Sequence, residues 1–247
     1  MKLLRQERLT RLYQQQYTLG RISKSRDCTA IAKTGNIASL CQGIPHDKVL
    51  DIGAGEGAVI QRLSRLGFAR DFYALEITPG AVTGIQSRSI EHLREVGVFD
   101  GYTIPYDSRT FDLALLTHVL EHVEHPRQLL WEAGRVADHV YIEVPLEDNR
   151  RMGRDFRPTE VGHINFFSFK TIRFLVQSCD LTVIRQEIRN PLMPTGLSIE
   201  SAKWLIREMF LRTVPKLGSY LTTYNCGLVC RCRPSGQEIY GMRAGNP

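Results

Sequence analysis

Closely spaced glycines give the first chemical signal in this sequence. They lie in the segment DIGAGEG at residues 51–57, directly after the apolar residues Val49 and Leu50. Glycine lets the backbone approach a ligand closely where a strand turns into a helix. About 20 residues further on, the next apolar run ends in Glu76, whose carboxylate can accept hydrogen bonds from both hydroxyls of a ribose. The pairing predicts a site for an adenosine-bearing ligand.

The charge of Asp51 distinguishes two cofactors of this kind. Gly53, Gly55 and Ala58 also satisfy the dinucleotide pattern G-x-G-x-x-A, so an NAD-dependent oxidoreductase is an alternative at this point. Asp51 adds negative charge two residues before the first glycine. That charge would repel a pyrophosphate but attract the sulfonium and ammonium groups of S-adenosylmethionine. The residues therefore favour S-adenosylmethionine, and NAD is the lesser alternative.

Histidines and a glutamate form a second group with chemical potential. His118, Glu121 and His122 follow an apolar run, and His163 lies further along the chain. A hydroxyl acceptor needs a base with a pKa near neutrality, for which histidine is suited. We predict His163 as the base, with His118 and His122 as further catalytic candidates, although His122 could instead serve in capping or packing. If residues 118–122 are helical, His118, Glu121, His122 and His163 could instead bind a metal, which we hold as the less favoured hypothesis.

The elements that must position these residues alternate between strands and helices. The predicted strands span residues 49–52, 72–75, 111–116, 140–144, 181–188 and 222–232. The predicted helices span residues 29–42, 57–66, 81–93, 127–136 and 168–178. This alternation predicts an α/β fold with a doubly wound sheet and right-handed crossovers. Ligands bind such sheets at the carboxyl ends of the strands.

Three regions follow from the patterning along the chain. We predict an N-terminal helical cap at 1–45, which begins with an amphipathic helix at 1–17, a catalytic domain at 46–233 and a flexible tail at 234–247. A helical insertion at about 191–218 carries an apolar stripe and ends its helix at Pro215. Core packing, an acceptor lid and a dimer surface are open interpretations of that stripe. Its residues are Ile199, Ala202, Ile206, Met209, Phe210 and Val214.

Charge indicates the kind of acceptor. The net charge is +6 without a long Lys/Arg run, which permits an anionic small molecule or RNA. The loop at 145–162 contains Arg150, Arg151, Arg154 and Arg157. We predict that Arg150 and Arg154 bind a carboxylate or phosphate of the acceptor, and a solvated loop is the alternative.

The remaining composition indicates a soluble protein of the cytoplasm. We find no signal-peptide pattern and no apolar stretch of membrane-spanning length, so we expect a cytoplasmic protein without a membrane span. The six cysteines are expected to be reduced. Cys226, Cys230 and Cys232 would share one face of a strand, which favours burial over a metal site.

The motifs together resemble class I S-adenosylmethionine-dependent methyltransferases, particularly small-molecule enzymes related to those of ubiquinone biosynthesis. The resemblance runs from about 48 to 187 and rests on DIGAGEG, on Glu76 and on DGYTIPYDSRTFDLALLTHVLEHV at 100–123. The segment GHINFFS at 162–168 extends it. The resemblance implies a Rossmann-like, mostly parallel seven-stranded sheet with a final antiparallel strand, N-terminal helices and a helical insertion before the last strand.

The resemblance also implies roles for the cofactor residues. Gly53 and Gly55 would approach the methionine and ribose parts, and Glu76 would bind the ribose hydroxyls. Asp100 with Gly101 would lie at the adenine amino group, although Asp100 could instead be a simple turn carboxylate. The residues that would flank the methionine moiety are Leu116, Thr117 and His118.

A metal pattern of related enzymes is only partly present. Metal-dependent ubiquinone-pathway and small-RNA 2′-O-methyltransferases carry E-x-x-E-H and a distant histidine, which resembles residues 118–122 with His163. This sequence has His118 in place of the first glutamate, which argues against a hard metal such as Mg²⁺.

The predicted function is methyl transfer to an oxygen, less favourably a nitrogen or carbon, of a small-molecule metabolite. S-adenosylhomocysteine would be the product. RNA 2′-O-methylation, with or without a metal, is the alternative, and a homodimer is compatible with the sequence.

Overall fold

The computed structural model describes residues 23–150, 152, 162–191 and 199–232. Its strands are β1 (Lys48–Ile52), β2 (Asp71–Glu76), β3 (Leu93–Val98), β4 (Phe111–Thr117), β5 (Ala137–Leu146), β6 (Leu181–Arg189) and β7 (Tyr224–Cys232). Its helices are α1 (Ser23–Leu40), α2 (Ala58–Arg65), α3 (Pro79–Ser87), α4 (Pro126–Val136), α5 (Phe169–Gln177), α6 (Ile199–Thr213) and α7 (Pro215–Leu221). The predicted helix at 1–17 and tail at 234–247 lie outside the described residues.

All these strands form one seven-stranded sheet in the order β3-β2-β1-β4-β5-β7-β6. The pairs among β1 to β5 are parallel, and β7 lies antiparallel between β5 and β6. The predicted fold class is therefore confirmed. The strand order reverses at β1, which has β2 on one side and β4 on the other. In doubly wound sheets a ligand crevice opens at such a reversal, at the carboxyl ends of the strands.

Two apolar clusters cover the two faces of the sheet. Leu50 and Ile52 of β1 belong to one cluster and Val49 to the other, because neighbouring strand residues point to opposite faces. Asp51 alternates with Leu50 and Ile52 and therefore shares the face of Val49. Helix α1 packs on this second face through buried residues that include Leu40. Helix α1 thus lies on the same face of the sheet as the buried carboxylate of Asp51.

The third helix is shorter than predicted. The pattern predicts a helix at 81–93, whereas α3 ends at Ser87 and Leu93 already begins β3. Ser89 and His92 have φ angles of 49° and 62°, in the left-handed region that a right-handed helix cannot include. Two such residues between the elements redirect the chain, and apolar spacing alone does not reveal them.

The insertion between β6 and β7 exposes its apolar side chains. Ile199 is 72% exposed and Met209 55% exposed, and Ala202, Ile206 and Val214 are exposed as well. The core-packing interpretation of this stripe is therefore wrong for these residues, while Phe210 is half-buried. The predicted stop at Pro215 is present, and a second helix, α7, begins there. Proline is tolerated in the first helical turn because no helical partner is needed for its missing N–H.

Three cysteines of β7 point into the core. Cys226, Cys230 and Cys232 are buried in one cluster with Leu228, as the strand alternation predicts. Burial raises the pKa of Cys226 and of Cys232 to about 12, so both are neutral thiols. None of the described helices is long and apolar enough to cross a membrane.

Candidate active site

The glycine segment after β1 forms a tight turn against the end of β2. Gly53 and Gly55 have φ angles of 74° and 61°, which glycine adopts without strain. The N–H of Gly55 donates to Glu76 Oε1 at 2.6 Å, and the N–H of Ile77 donates to Glu76 Oε2 at 2.8 Å. A Cβ on Gly53 would lie 2.7 Å from Cγ2 of Val119, in the segment after β4. The carboxyl ends of β1, β2 and β4 therefore lie close together. The structure brings Gly53, Gly55 and Glu76 together, as the sequence predicts.

Asp51 lies in β1 beneath this turn and is completely buried. Neither of its carboxylate oxygens accepts a hydrogen bond within the described part of the chain. Burial raises the pKa of Asp51 to about 7, the positive charge of Lys33 on α1 lowers it in part, and the charge of Glu76 adds to the rise. A buried carboxylate in this state favours a ligand that brings its own positive donor.

Asp100 and Gly101 form a turn after β3. Asp100 Oδ1 accepts the N–H groups of Tyr102 at 2.8 Å and Thr103 at 2.6 Å. Burial opposes ionisation of Asp100, yet the Thr103 and Tyr102 N–H groups outweigh it and lower the pKa of this carboxyl. These contacts are those of a turn carboxylate, so a role toward adenine remains a prediction.

The segment after β4 is a turn, so the predicted helical face at 118–122 is wrong. His118 has a φ of 59°, and the N–H of His122 donates to the carbonyl of Val119 at 3.0 Å. The His118 N–H still pairs with the Glu143 carbonyl at 2.8 Å, which extends the ladder beyond Thr117 before the chain reverses. A residue with this left-handed φ cannot belong to a right-handed α-helix, so His118 does not share a helix face with Glu121 and His122.

This turn places His118 between two buried carboxylates. Its Nδ1 lies 3.1 Å from Glu121 Oε1, and its Nε2 lies 3.3 Å from Glu143 Oε1. Both glutamates are completely buried, whereas the His118 side chain is 23% exposed. Burial and the charge of Lys33 lower the pKa of His118, but Glu121 and Glu143 outweigh them and raise it overall. Asn225 Nδ2 also lies 3.1 Å from His118 Nε2, so both ring nitrogens already have polar partners within the protein.

Glu143 is the centre of a polar network that we did not predict. Its carboxylate accepts hydrogen bonds from Asn36 Nδ2 at 2.8 Å, Tyr141 Oη at 2.7 Å and Asn225 Nδ2 at 3.0 Å. Burial opposes ionisation, but His118, Tyr141 and Asn36 hold the pKa of Glu143 at about 2. A single carboxylate in the otherwise apolar run at 140–144 was the available signal, because such a charge must find partners.

His163 lies on the other side of the turn and pairs with Glu147, which follows β5. Its Nδ1 is 2.6 Å from Glu147 Oε2. The segment around it is fixed because the N–H groups of Ile164 and Asn165 donate to the carbonyl of Glu121, at 2.8 and 3.1 Å. Glu147 had no signal in the sequence, since its loop is rich in charged residues.

His122 completes this side of the site. Its Nδ1 lies 3.3 Å from the carbonyl of Gly162, and its ring is T-shaped against His163 with centroids 4.7 Å apart. Burial lowers the pKa of His122. Ligand atoms of Glu121, His122 and His163 all lie within 4.8 Å of one another, so these residues form a candidate metal set. Among the described residues, His118 does not belong to that set.

Arg150 anchors α7. Its backbone N–H donates to the Tyr220 carbonyl at 3.0 Å, and its Nε donates to the Leu221 carbonyl at 3.2 Å. These bonds satisfy carbonyls at the helix end. Acceptor binding by Arg150 remains a prediction, and Arg154 lies outside the described residues together with Arg151 and Arg157.

A family model described as a methyltransferase domain matches residues 12–186, which is more than half of the chain. The chain belongs to this methyltransferase family. Its cofactor is S-adenosylmethionine, so the alternative of an NAD-dependent oxidoreductase is wrong. No curated protein matches the methyltransferase in sequence.

Solved structures share the fold of this methyltransferase. The complex between the Haloferax volcanii Trm112 methyltransferase activator and a methyltransferase contains a chain with a TM-score of 0.70 and 16% identity, over 90% of this chain and 98% of that one. The [4+2]-cyclase SpnF has a TM-score of 0.59 and 16% identity, over 80% and 78%. Geranyl diphosphate methyltransferase in complex with S-adenosylmethionine has a TM-score of 0.55 and 14% identity, over 81% and 85%. Such likeness identifies the fold and leaves the acceptor open.

Proposed function

We propose that the enzyme transfers the methyl group of S-adenosylmethionine to an oxygen of a small-molecule acceptor, with His163 as the base. The observation that carries this proposal is the short contact between His163 Nδ1 and Glu147 Oε2, at 2.6 Å. Glu147 directly follows β5, so it lies at the carboxyl ends of the parallel strands, as do the glycine turn and Glu76. A base beside the cofactor crevice suits an acceptor that must lose a proton.

The geometry supports His163 over the other two histidines. A carboxylate at Nδ1 fixes the tautomer with the proton on that nitrogen, so Nε2 carries the lone pair. His118 has a carboxylate within 3.3 Å of each ring nitrogen and Asn225 Nδ2 at 3.1 Å from Nε2, so both of its nitrogens are already engaged within the protein. His122 faces a backbone carbonyl and remains a neighbour of the base. Glu147 is a positioning residue in this proposal, because it acts through His163.

The reaction is an in-line displacement at the methyl carbon, with neutral S-adenosylhomocysteine as leaving group. Orientation of the acceptor oxygen against the methyl group supplies much of the rate. Removal of the hydroxyl proton by His163 would contribute roughly 10²–10⁴-fold. A nitrogen acceptor that is already neutral would not need this base, which makes the dependence on His163 informative.

Transfer of a labelled methyl group tests the proposal. Purified enzyme with labelled S-adenosylmethionine is screened against phenols, carboxylic acids, amines and RNA. We expect a hydroxyl acceptor, with kcat lowered at least about 100-fold in His163→Gln and little change in KM. His46→Gln is the matched control, because His46 precedes β1 and stacks on Phe68, which precedes β2, so it lies at the amino ends of these strands and away from the site. Transfer to an amine or to RNA alone, or equal kcat in both variants, would contradict the proposal.

The exposed apolar face of α6 and α7 supports a homodimer as a further proposal. Leu205 is 63% exposed and Tyr220 58% exposed, beside the stripe described above. Large exposed apolar patches commonly mark interaction surfaces. Light scattering of the purified enzyme measures the mass directly. We expect twice the chain mass, and a monomer would exclude a homodimer at that concentration and make a heterologous partner, as in the Haloferax volcanii complex, the next hypothesis.

A further inference from the structure

We infer that Lys33 of helix α1 binds the carboxylate of the cofactor's methionine moiety and thereby selects cofactors that carry this group. The inference concerns the cofactor, so it goes beyond the proposed transfer to an oxygen and does not depend on the acceptor. It rests on the course of α1, on the donors already used in the glycine turn and on the charges around Asp51.

Helix α1 runs along the sheet with its N-terminal end toward the cofactor crevice. At its C-terminal end, the carbonyl of Leu40 accepts a hydrogen bond from Arg185 Nη1 at 2.6 Å. One turn earlier, Asn36 Nδ2 donates to Glu143 Oε2 at 2.8 Å. In the register of β7, Glu143 is two residues nearer than Arg185 to the carboxyl ends of the parallel strands. Lys33 lies almost one further turn along α1 and on the same side as Asn36, so α1 carries it to the edge of the crevice.

The glycine turn has few backbone donors left for an anion. The N–H groups of Gly53 and Ala54 donate to the carbonyl of Leu75, at 2.8 and 3.2 Å. The N–H of Gly57 donates to a carbonyl within the turn at 3.0 Å, and the N–H of Gly55 donates to the carboxylate at the end of β2. A ligand carboxylate beside this turn therefore depends on side chains for its donors.

The methionine moiety carries an ammonium group and a carboxylate on the same carbon atom. We expect its ammonium group at Asp51, because neither oxygen of this buried carboxylate accepts a hydrogen bond within the described part of the chain. The carboxylate of the ligand must then lie within a few Å of the same place. Two carboxylates so close together are unfavourable unless a further cation lies beside them.

Lys33 brings a positive charge to this place. Burial raises the pKa of Asp51, and the charge of Lys33 lowers it in part, so the ammonium group of Lys33 acts on the site that the ligand enters. Lys33 is half-buried, which shields an ion pair there in part from water. Its flexible stem and three N–H donors suit a carboxylate that must also stay near a second cation. A ligand without the carboxylate would bring its ammonium group near Lys33 with no anion between them.

Two ligands test the inference by calorimetry without an acceptor. They are S-adenosylhomocysteine and its decarboxylated analogue, in which a hydrogen replaces the carboxylate. We expect the unaltered full-length protein to bind S-adenosylhomocysteine about 10 to 100 times more tightly than the analogue, as for an interaction between charged groups. Lys33→Met keeps the length of the side chain and removes its charge. It should weaken binding of S-adenosylhomocysteine by a similar factor and leave the affinity for the analogue nearly unchanged, so that the preference disappears.

Lys48→Met is the matched control, because Lys48 begins β1 at its amino end, away from the crevice. Both affinities should stay the same in this variant. Equal weakening of the two ligands in Lys33→Met would overturn the inference, because Lys33 would then act through Asp51 or through the fold. An unaltered protein that binds both ligands equally would overturn it too, and so would a Lys33→Met variant that keeps the preference and only raises the KM of an anionic acceptor.

An NMR titration of the Lys33 ammonium nitrogen decides the question if Lys33→Met does not fold. A shift of this signal with S-adenosylhomocysteine but not with the analogue supports the inference, and the same shift with both ligands overturns it. Failure to find a hydroxyl acceptor would affect the proposed function alone, since neither ligand requires an acceptor.

Discussion

Replacement of Asp51 by asparagine should stabilise the free protein and weaken its binding of the cofactor. Asp51 is completely buried, and burial raises its pKa from 3.8 to about 7. That difference corresponds to about 4 kcal/mol of unfavourable free energy for the ionised carboxylate. Because the pKa in the folded protein is the higher one, this cost is absent below pH 4, grows as the pH rises and is complete above pH 7.

The free protein should therefore lose stability between pH 4 and 7, and Asp51→Asn should lose less. Asparagine has nearly the same shape but no charge to desolvate. Thermal unfolding of both proteins at several pH values measures the effect. We expect the variant to be the more stable one at pH 8, with a difference that shrinks toward pH 5.

The charge of Asp51 should lower the stability of the free protein but strengthen its binding of the cofactor. The ammonium group of S-adenosylhomocysteine favours ionised Asp51, so binding near pH 7 should release a fraction of a proton. Affinity should rise with pH up to about 7, and Asp51→Asn at pH 8 should bind about 10 to 100 times more weakly, as expected for a hydrogen bond to a charged group.

Calorimetric titration with S-adenosylhomocysteine in two buffers of different ionisation enthalpy measures both the affinity and the proton release. A pH-independent affinity in the unaltered enzyme, without proton release, would refute the reasoning. So would a variant that binds as tightly as the unaltered enzyme at pH 8.

Further variants probe the backbone and the buried network. Gly53→Ala should lower the thermal midpoint and weaken binding of S-adenosylhomocysteine, since its Cβ would lie 2.7 Å from Val119 at a φ of +74°; an unchanged midpoint would contradict this. Gly35→Ala, in α1 with no atom within 4 Å of the new Cβ, should instead stabilise the protein by about 0.5–1 kcal/mol in a denaturant titration. Tyr141→Phe removes a donor to Glu143 at 2.7 Å and should cost about 1.5–3 kcal/mol by the same titration. A change below 0.5 kcal/mol, on the order of a surface substitution, would show that the network does not depend on this bond.

Local patterning predicts six of the seven strands that the structure describes, because buried strands are short apolar runs. It misses β3, whose side chains are half-buried or exposed and leave no apolar run. It also predicts that the glycine turn lies against Glu76, since both directly follow apolar runs that form neighbouring parallel strands. The turn at 118–122 escapes prediction, since an H-V-L-E-H run has helical spacing and the left-handed φ of His118 depends on contacts with β5. The ion pairs are not predictable from local spacing either, because their partners are distant along the chain. Glu143 is 25 residues from His118, and Glu147 is 16 residues from His163.

The chain between β6 and β7 begins and ends at neighbouring points of the sheet, because β7 runs antiparallel to β6. Arg189 at the end of β6 pairs with Asn225 near the start of β7, so the chain leaves the sheet and returns to it at adjacent points. Tyr224 pairs in turn with Leu146 at the carboxyl end of β5. Because the two ends are held together by the ladder, the chain between them can change in length at a small entropic cost. The length of the chain between β6 and β7 can therefore vary without a change in the register of the sheet.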